Sequence, residues 1–371
     1  MIRDTWEKAF KDDEKLLQKV KGTIKDTRRY LSKKYRDIGM GQAFYRGDHY
    51  GEWNSSSLVW QDEDINQDER PRIVSNQVKV YVDKSVTKVI RYKPSVMTTP
   101  MSNEIDDISG SKVGEELLHH FFMVQDIDDK QERWVKAAAV GGVGWMKLDF
   151  NPNLSTKIED YEEISPQPGI KLEVEKEVLY KGDLEITIPN PLMVIPDTIS
   201  NDFRKHRYWI EEELRPLDEL KAEYPKAKDL KAGSGPGPIH RETAGKALEN
   251  MVRCWRLYFR PCSEFPAGGY AYGTEDKVLQ KDTPYPLKHG KLPAFPLPFS
   301  SDDEFLWGQA MTSPLIPLQV EYNKIRNIRI ENQNYAAAIK FLNPLTSGWD
   351  GDLMTNEPGE VIDYDLSLIH I

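Results

Sequence analysis

The sequence predicts an α+β protein whose helices and strands are segregated along the chain. Three observations carry this. Apolar residues step by three and four through residues 3–37, 73–90, 111–125 and 313–344, the helical period. Two-residue alternation replaces it near 145–152, 170–195 and 251–281. These blocks do not follow one another as a regular strand–helix–strand series, so no doubly wound parallel sheet is expected.

Taken in order, residues 3–37 read as a helix with Trp6, Phe10, Leu16, Leu17, Val20, Ile24 and Leu31 near one stripe. GMGQAFYRGDHYGEW (39–53) is expected to break that helix with its glycines, and NSSSLVWQDEDINQDER (54–70) reads as a polar loop. After Pro71, Ile73, Val74, Val78, Val82, Val86, Val89 and Ile90 keep helical steps, and Pro94 and Pro100 then impose an extended piece. A helix at 111–125 puts Val113, Leu117, Phe121 and Val124 on one face, and another at 128–140 ends at GGVG (141–144). WMKLDFNP alternates as a strand, strand patterning resumes over 170–195 with a turn at Lys181-Gly182-Asp183, and RYWIEEELRP passes after Pro216 into a short helix stopped by Pro225. A Gly/Pro/Ser-rich linker (229–242), a short helix (243–250), strands at 251–260 and 269–281 and a proline-rich run (284–298) follow. SPLIPLQVEYNKIRNIRIENQNYAAAIKFLNP (313–344) then reads as one long helix whose apolar content is thin for a core helix.

Composition narrows the function classes. The chain has 371 residues, 39% hydrophobic and 30% charged, with nine Trp and seventeen Tyr, which suits packed structure or extensive interfaces. No window approaches a membrane span, and no secretory leader is expected, so the chain is assigned to the producing cell's cytoplasm. A Cys254–Cys262 pair is geometrically open, yet both thiols are expected to be reduced. Net charge is −10, against a local excess of basic residues in 1–37 and no Lys or Arg from Phe341 onward. An acidic pI near 5.4 argues against tight phosphate gripping while allowing DNA to slide past.

No catalytic, cofactor or metal site is expected. Glu116 and His119 have the spacing of half a di-iron motif without a second copy, so they read as a solvated helix face. GGVG lacks dinucleotide-loop spacing and reads as a helix C-cap; DIDD (126–129) lacks the glycine and terminal Glu of a calcium loop and reads as an N-cap. Hydrolase, zinc-protease and P-loop signatures do not occur, and the two cysteines have no metal-ligand spacing.

The order of segments resembles the portal proteins of tailed bacteriophages, especially the short-tailed ones. FYRGDHY (44–50) looks like an aromatic-Gly turn after the first helix. RPRIVSNQVKVYVDKSVTKVIRYKPSVMTTP (70–100), WVKAAAVGGVGWMKLDFNP (134–152), IPNPLMVIPD (188–197), PLIPLQVEYNKIRNIRIENQ (314–333) and NEPGEVIDYD (356–365) carry the rest. The resemblance implies a helical wing and stem with small β-rich regions and a long stem-type helix. It divides the chain into a helical wing part (1–150), a β-rich wing part (151–228), a linker with a clip-like β region (229–300), the long helix (301–342) and a channel-loop-like segment with the start of the crown-side region (343–365). Such proteins are longer, and LSLIHI (366–371) looks like a translated sequencing adapter, so the natural chain is expected to continue past Asp365.

The resemblance also implies a function: a structural virion ring, usually of twelve subunits, at one capsid vertex. It would conduct double-stranded DNA in packaging and ejection and dock the terminase motor, scaffold and capsid proteins and the tail adaptor. Leu318, Tyr322, Ile325 and Ile328 would form a stripe buried by equivalent helices of neighbouring subunits. Asn327 would face polar neighbours or the channel, and Asn332, Asn334, Asp350 and Asp352 would face the channel. The competing readings are a surface helix of a monomer, another head–tail connector component, and a nucleic-acid-processing enzyme using Asp149, Asp183 and Asp197 for two magnesium ions.

Overall fold

A computed structural model describes residues 5–55, 58–62, 72–92, 96–151, 183–231, 250–301, 306–337, 341–348 and 361–364. The N-terminal stripe forms α1 (Trp6–Phe10), α2 (Asp13–Tyr30) and α3 (Ser32–Arg46). Asp12 starts α2 by accepting the Glu14 N–H at 3.0 Å, and the chain bends at Leu31. The glycines expected to break this region do not. Gly39 and Gly41 sit inside α3, which ends only at Gly47 in the left-handed conformation, φ 102°. Close approach explains them: a Cβ on Gly39 would lie 2.0 Å from the Trp53 ring, and one on Gly41 would lie 2.3 Å from the Val140 carbonyl oxygen.

Part of the expected polar loop is sheet: β1 (Gly51–Asn54) pairs antiparallel with β2 (Val59–Asp62). Then come α4 (Gln77–Ile90), α5 (Ile105–Val124), α6 (Ile127–Gly141) and β3 (Val143–Asn151). Asp126 precedes α6 as foreseen, but its side chain makes no capping bond there; Gly142 closes the helix at φ 86°. Val78, Val82 and Val86 of α4 pack on Val135, Ala139 and Val140 of α6, so the valine stripe meets a small-residue face.

The remaining strands are β4 (Asp183–Thr187), β5 (Val194–Pro196), β6 (Tyr208–Pro216), β7 (Met251–Phe259), β8 (Gly269–Thr274), β9 (Val278–Asp282) and β10 (Ala294–Pro298). A short helix, α7 (Leu217–Glu223), follows β6. Five strands form one antiparallel sheet in the order β5-β6-β7-β8-β9, and three form another, β10-β3-β4. The Lys181-Gly182-Asp183 turn, the linker and the short helix expected at 243–250 fall mostly outside the described residues.

Alternation along β6 and β7 gives the larger sheet two apolar faces. Ile210, Leu257 and Phe259 meet Trp6, Phe10, Leu16, Val20 and Ile24 of α1 and α2. Trp209 and Tyr258 turn the other way, toward Tyr35 and Ile38 of α3, Trp145 and Trp307. Residues of the expected parts 1–150, 151–228 and 229–300 therefore meet in the clusters on both faces of this sheet. β6 pairs with β7 from Tyr208–Phe259 to Pro216–Met251, and β10 pairs with β3, so residues 251–281 are the middle and one edge of the central sheet. Both cysteines are free; burial pushes the Cys254 thiol up to about 11.

The glycine reading is testable by chemical denaturation. Gly41→Ala, with Val140 in its way, loses about 1–3 kcal/mol. Gly22→Ala, with nothing within 4 Å, holds stability or raises it by up to ~1 kcal/mol.

Candidate assembly surface

The long helix, α8 (Thr312–Ala337), begins where α6 ends. The Met311 N–H donates to the Ala139 carbonyl at 2.9 Å and the Thr312 hydroxyl to the Val140 carbonyl at 2.8 Å, serving carbonyls at the buried C-terminal end of α6. The helix is described as far as Ala337. Phe341–Pro344 instead forms β11, parallel to β12 (Val361–Tyr364).

In its first turn α8 packs Leu315 on the α4–α6 cluster, but from Gln319 onward what it turns toward the rest of the chain is polar. Gln319, Asn323 and Asn327 stand four residues apart, hence on one face, and the first two are only 3% and 2% exposed. The Gln319 side-chain oxygen accepts the N–H groups of Gln77 (2.9 Å) and Val78 (3.3 Å), two of the donors that open the first turn of α4. Its nitrogen donates to the Ser75 carbonyl (2.9 Å) and to the Asn323 side-chain oxygen (2.8 Å). Asn76 completes that cap, accepting the Lys79 N–H at 2.9 Å and donating to the Tyr45 carbonyl at 3.0 Å.

The chain of bonds continues into a buried histidine. The Asn323 nitrogen donates to His49 Nδ1 at 2.7 Å, because its oxygen is already committed to Gln319. His49 Nε2 must then carry the proton that it donates to the Phe44 carbonyl at 3.1 Å. This pattern requires a neutral ring, and burial pushes the His49 pKa below its ordinary value. Asn327 accepts the Ile73 N–H (2.9 Å) and donates to the Tyr50 hydroxyl (2.8 Å) of the same chain.

The opposite face is apolar and uncovered. Leu318 is 67% and Ile325 61% exposed, with Tyr322 and Ile328 beside them. Arg326 lies over the Tyr322 ring and donates to its hydroxyl at 3.1 Å. Asn332 and Asn334 are exposed near the end of α8, whereas Asp350 and Asp352 lie outside the described residues. The sequence reading found the apolar stripe but missed Gln319, Asn323 and His49. For Gln319 and Asn323 the signal was present as amides at i and i+4 in LQVEYNKIRN, on the side facing away from the stripe.

The carboxylates of the enzyme reading are held in separate networks. Asp149 accepts from Tyr258 at 2.7 Å and pairs with Lys147 at 3.2 Å; burial pushes its pKa up, but these partners outweigh that and hold it below the usual range. Asp197 pairs with Arg207 at 3.0 Å, and Asp183 accepts the Leu184 N–H at 2.7 Å. Among the described residues no group of three or more His, Cys, Asp or Glu could hold a metal ion, and no helix is long and apolar enough to cross a membrane.

Two measurements check the polar face. Gln319→Leu strands the Gln77 and Val78 N–H groups and the Ser75 carbonyl, so stability falls by on the order of 3 kcal/mol and amide exchange quickens in the first turn of α4. A folded pKa below the unfolded one means that the native state binds fewer protons just below pH 6.5. Stability present above that value is therefore lost as pH falls toward the folded pKa. Between about pH 7.5 and 5.5 the denaturation midpoint of the natural chain drops further than that of His49→Gln.

A family model described as phage P22-like portal protein matches residues 40–260, more than half of the chain. No curated protein matches it. The match begins within α3, spans α4 to α6 and the β3-β4 pair, and runs through β7 of the central sheet. The chain belongs to the phage P22-like portal protein family.

Proposed function

We propose that the chain is one subunit of a portal ring at a capsid vertex, a structural conduit through which double-stranded DNA enters and leaves the virion. The observation that carries this reading is the inverted polarity of α8, which spends its polar face on its own chain and leaves Leu318, Tyr322, Ile325 and Ile328 outside. A closed ring gives such a stripe a cover without leaving an open end.

The acidic balance supports the conduit role. Carboxylates repel phosphates, so moving DNA is not held, whereas a basic lining would gain affinity by releasing counterions. Asn332 and Asn334, with Asp350 and Asp352, are proposed to face the channel. ATP hydrolysis then belongs to a separate terminase motor, and this subunit acts without catalysis. It docks that motor, scaffold and capsid proteins during assembly in the host cytoplasm, and later the tail adaptor.

Native mass spectrometry tests the ring. A closed species of about a dozen subunits is expected, and Leu318→Asp with Ile325→Asp shifts it toward monomer while the far-ultraviolet circular dichroism stays unchanged. A strict monomer at every concentration, with α8 folded, overturns the reading.

A further inference from the structure

The contact that covers α8 follows from what else the surface offers. In a ring related by rotation, one surface of each subunit meets a different surface of the next. The outward stripe of α8 cannot be covered by the equivalent helix alone, because that helix would have to offer a second free face. Its second face is already taken by Ser75, Gln77, His49 and Tyr50 of the same chain. The receiving surface lies elsewhere.

Two other apolar helical surfaces are exposed. α4 shows Val80, Tyr81 and Val89, but among Lys79, Lys84, Lys88 and Arg91, with Asp83 as its one carboxylate, already bonded by Tyr45. α5 is the stronger case. None of its twenty residues is buried, and Val113 and Leu117 are 61% and 64% exposed. At its C-terminal end, Phe121, Phe122 and Met123 join Trp134 of α6 and Leu148 and Phe295 of the smaller sheet around a groove of about 880 Å³. Residues 104–129 carry eight carboxylates against one lysine, Lys112.

Charge decides between them. The exposed cations Lys324, Arg326 and Arg329 flank the α8 stripe, against Glu321 and Glu331. Set on α4 they would meet four more cations; set on α5 they meet carboxylates, and like charges brought together at an interface select against that pairing. The two surfaces also cannot meet within one chain by a small adjustment. α8 is tied to the C-terminal end of α6 through Ala139 and Val140, and α5 joins its N-terminal end at Asp126. Fifteen residues of α6 hold them roughly 22 Å apart.

We infer that the apolar stripe of α8 seats on the acidic, apolar groove formed by α5, α6 and the smaller sheet of a second copy of this chain. This rests on the ring reading and specifies its contact. Leu318, Ile325 and Ile328 are the anchors, and Lys324 and Arg329 meet the carboxylates of α5 at the rim.

Cross-linking tests this in a Cys262→Ser background, with Cys254 buried and unreactive. Leu117→Cys and Ile325→Cys are placed in one chain and singly in two, and a short bis-maleimide is added. The double variant is expected to give a ladder of covalent multimers, and the two single variants a dimer only when mixed. Dimers from Ile325→Cys alone, or products only when Ile325→Cys is combined with Tyr81→Cys, overturn the inference. So does a ring in native mass spectrometry with no product from the double variant, which also covers a groove filled by this chain's own residues 152–182. Native mass spectrometry of the unmodified chain separates the two claims: a monomer there sinks the ring, whereas a ring without these cross-links sinks only this contact.

Discussion

The polar seam under α8 is the constraint on which the helical half depends. A buried amide left unpaired costs about 1–3 kcal/mol, and Gln319 and Asn323 are almost fully buried. Their cost is offset because each bond serves a group that would otherwise be stranded. Gln319 caps α4, while Asn323 reaches α3 through His49 and the Phe44 carbonyl. An apolar residue at 319 would remove the amide and leave three backbone groups without their partner. Directional bonds also select one axial register, since sliding α8 by a turn breaks them together.

The sheets use buried charge in a comparable way. Lys147 on β3 is 2% exposed, yet it pairs with Glu211 on β6 at 2.9 Å and with Asp149 at 3.2 Å. Tyr258 on β7 bonds the same Asp149, so the smaller sheet is pinned to the larger at a defined point. On the far side, Arg28 of α2 pairs with Glu212 of β6, and burial raises the Glu212 pKa despite that partner. Removing one member of such a pair leaves a buried charge uncompensated, so the pairs hold α2, β3 and β6 in place more through what their loss would cost than through net attraction.

The parts of the fold that were legible in the sequence are those whose burial is decided locally. The Val78, Val82, Val86 stripe foretold α4, and the run from Tyr208 to Pro216 foretold β6 with the short helix after it. The misreadings arise where a distant residue decides. Gly39 and Gly41 look like helix breakers until Trp53 and Val140 press against them. On α8, sequence periodicity locates the apolar stripe but assumes that apolar means inward. That assumption fails when the inward face carries amides matched to particular backbone groups, which periodicity cannot register.

This inversion bears on how the chain can assemble. Were α8 held to its own subunit by its apolar face, association would have to strip that face away and refold the helix against a neighbour. The amide seam avoids that. The helix is already anchored in the isolated chain, with Leu318 and Ile325 displayed on a fixed backbone, so little ordering entropy remains to be lost on contact. The stripe is narrow, and lone exposed apolar residues are tolerable on a soluble monomer. In the proposed ring, association could thus stay weak at each contact and still become firm on closure, because the final subunit is held on both sides. A helix with polar anchorage and apolar display therefore suits a subunit that must fold first and assemble afterwards.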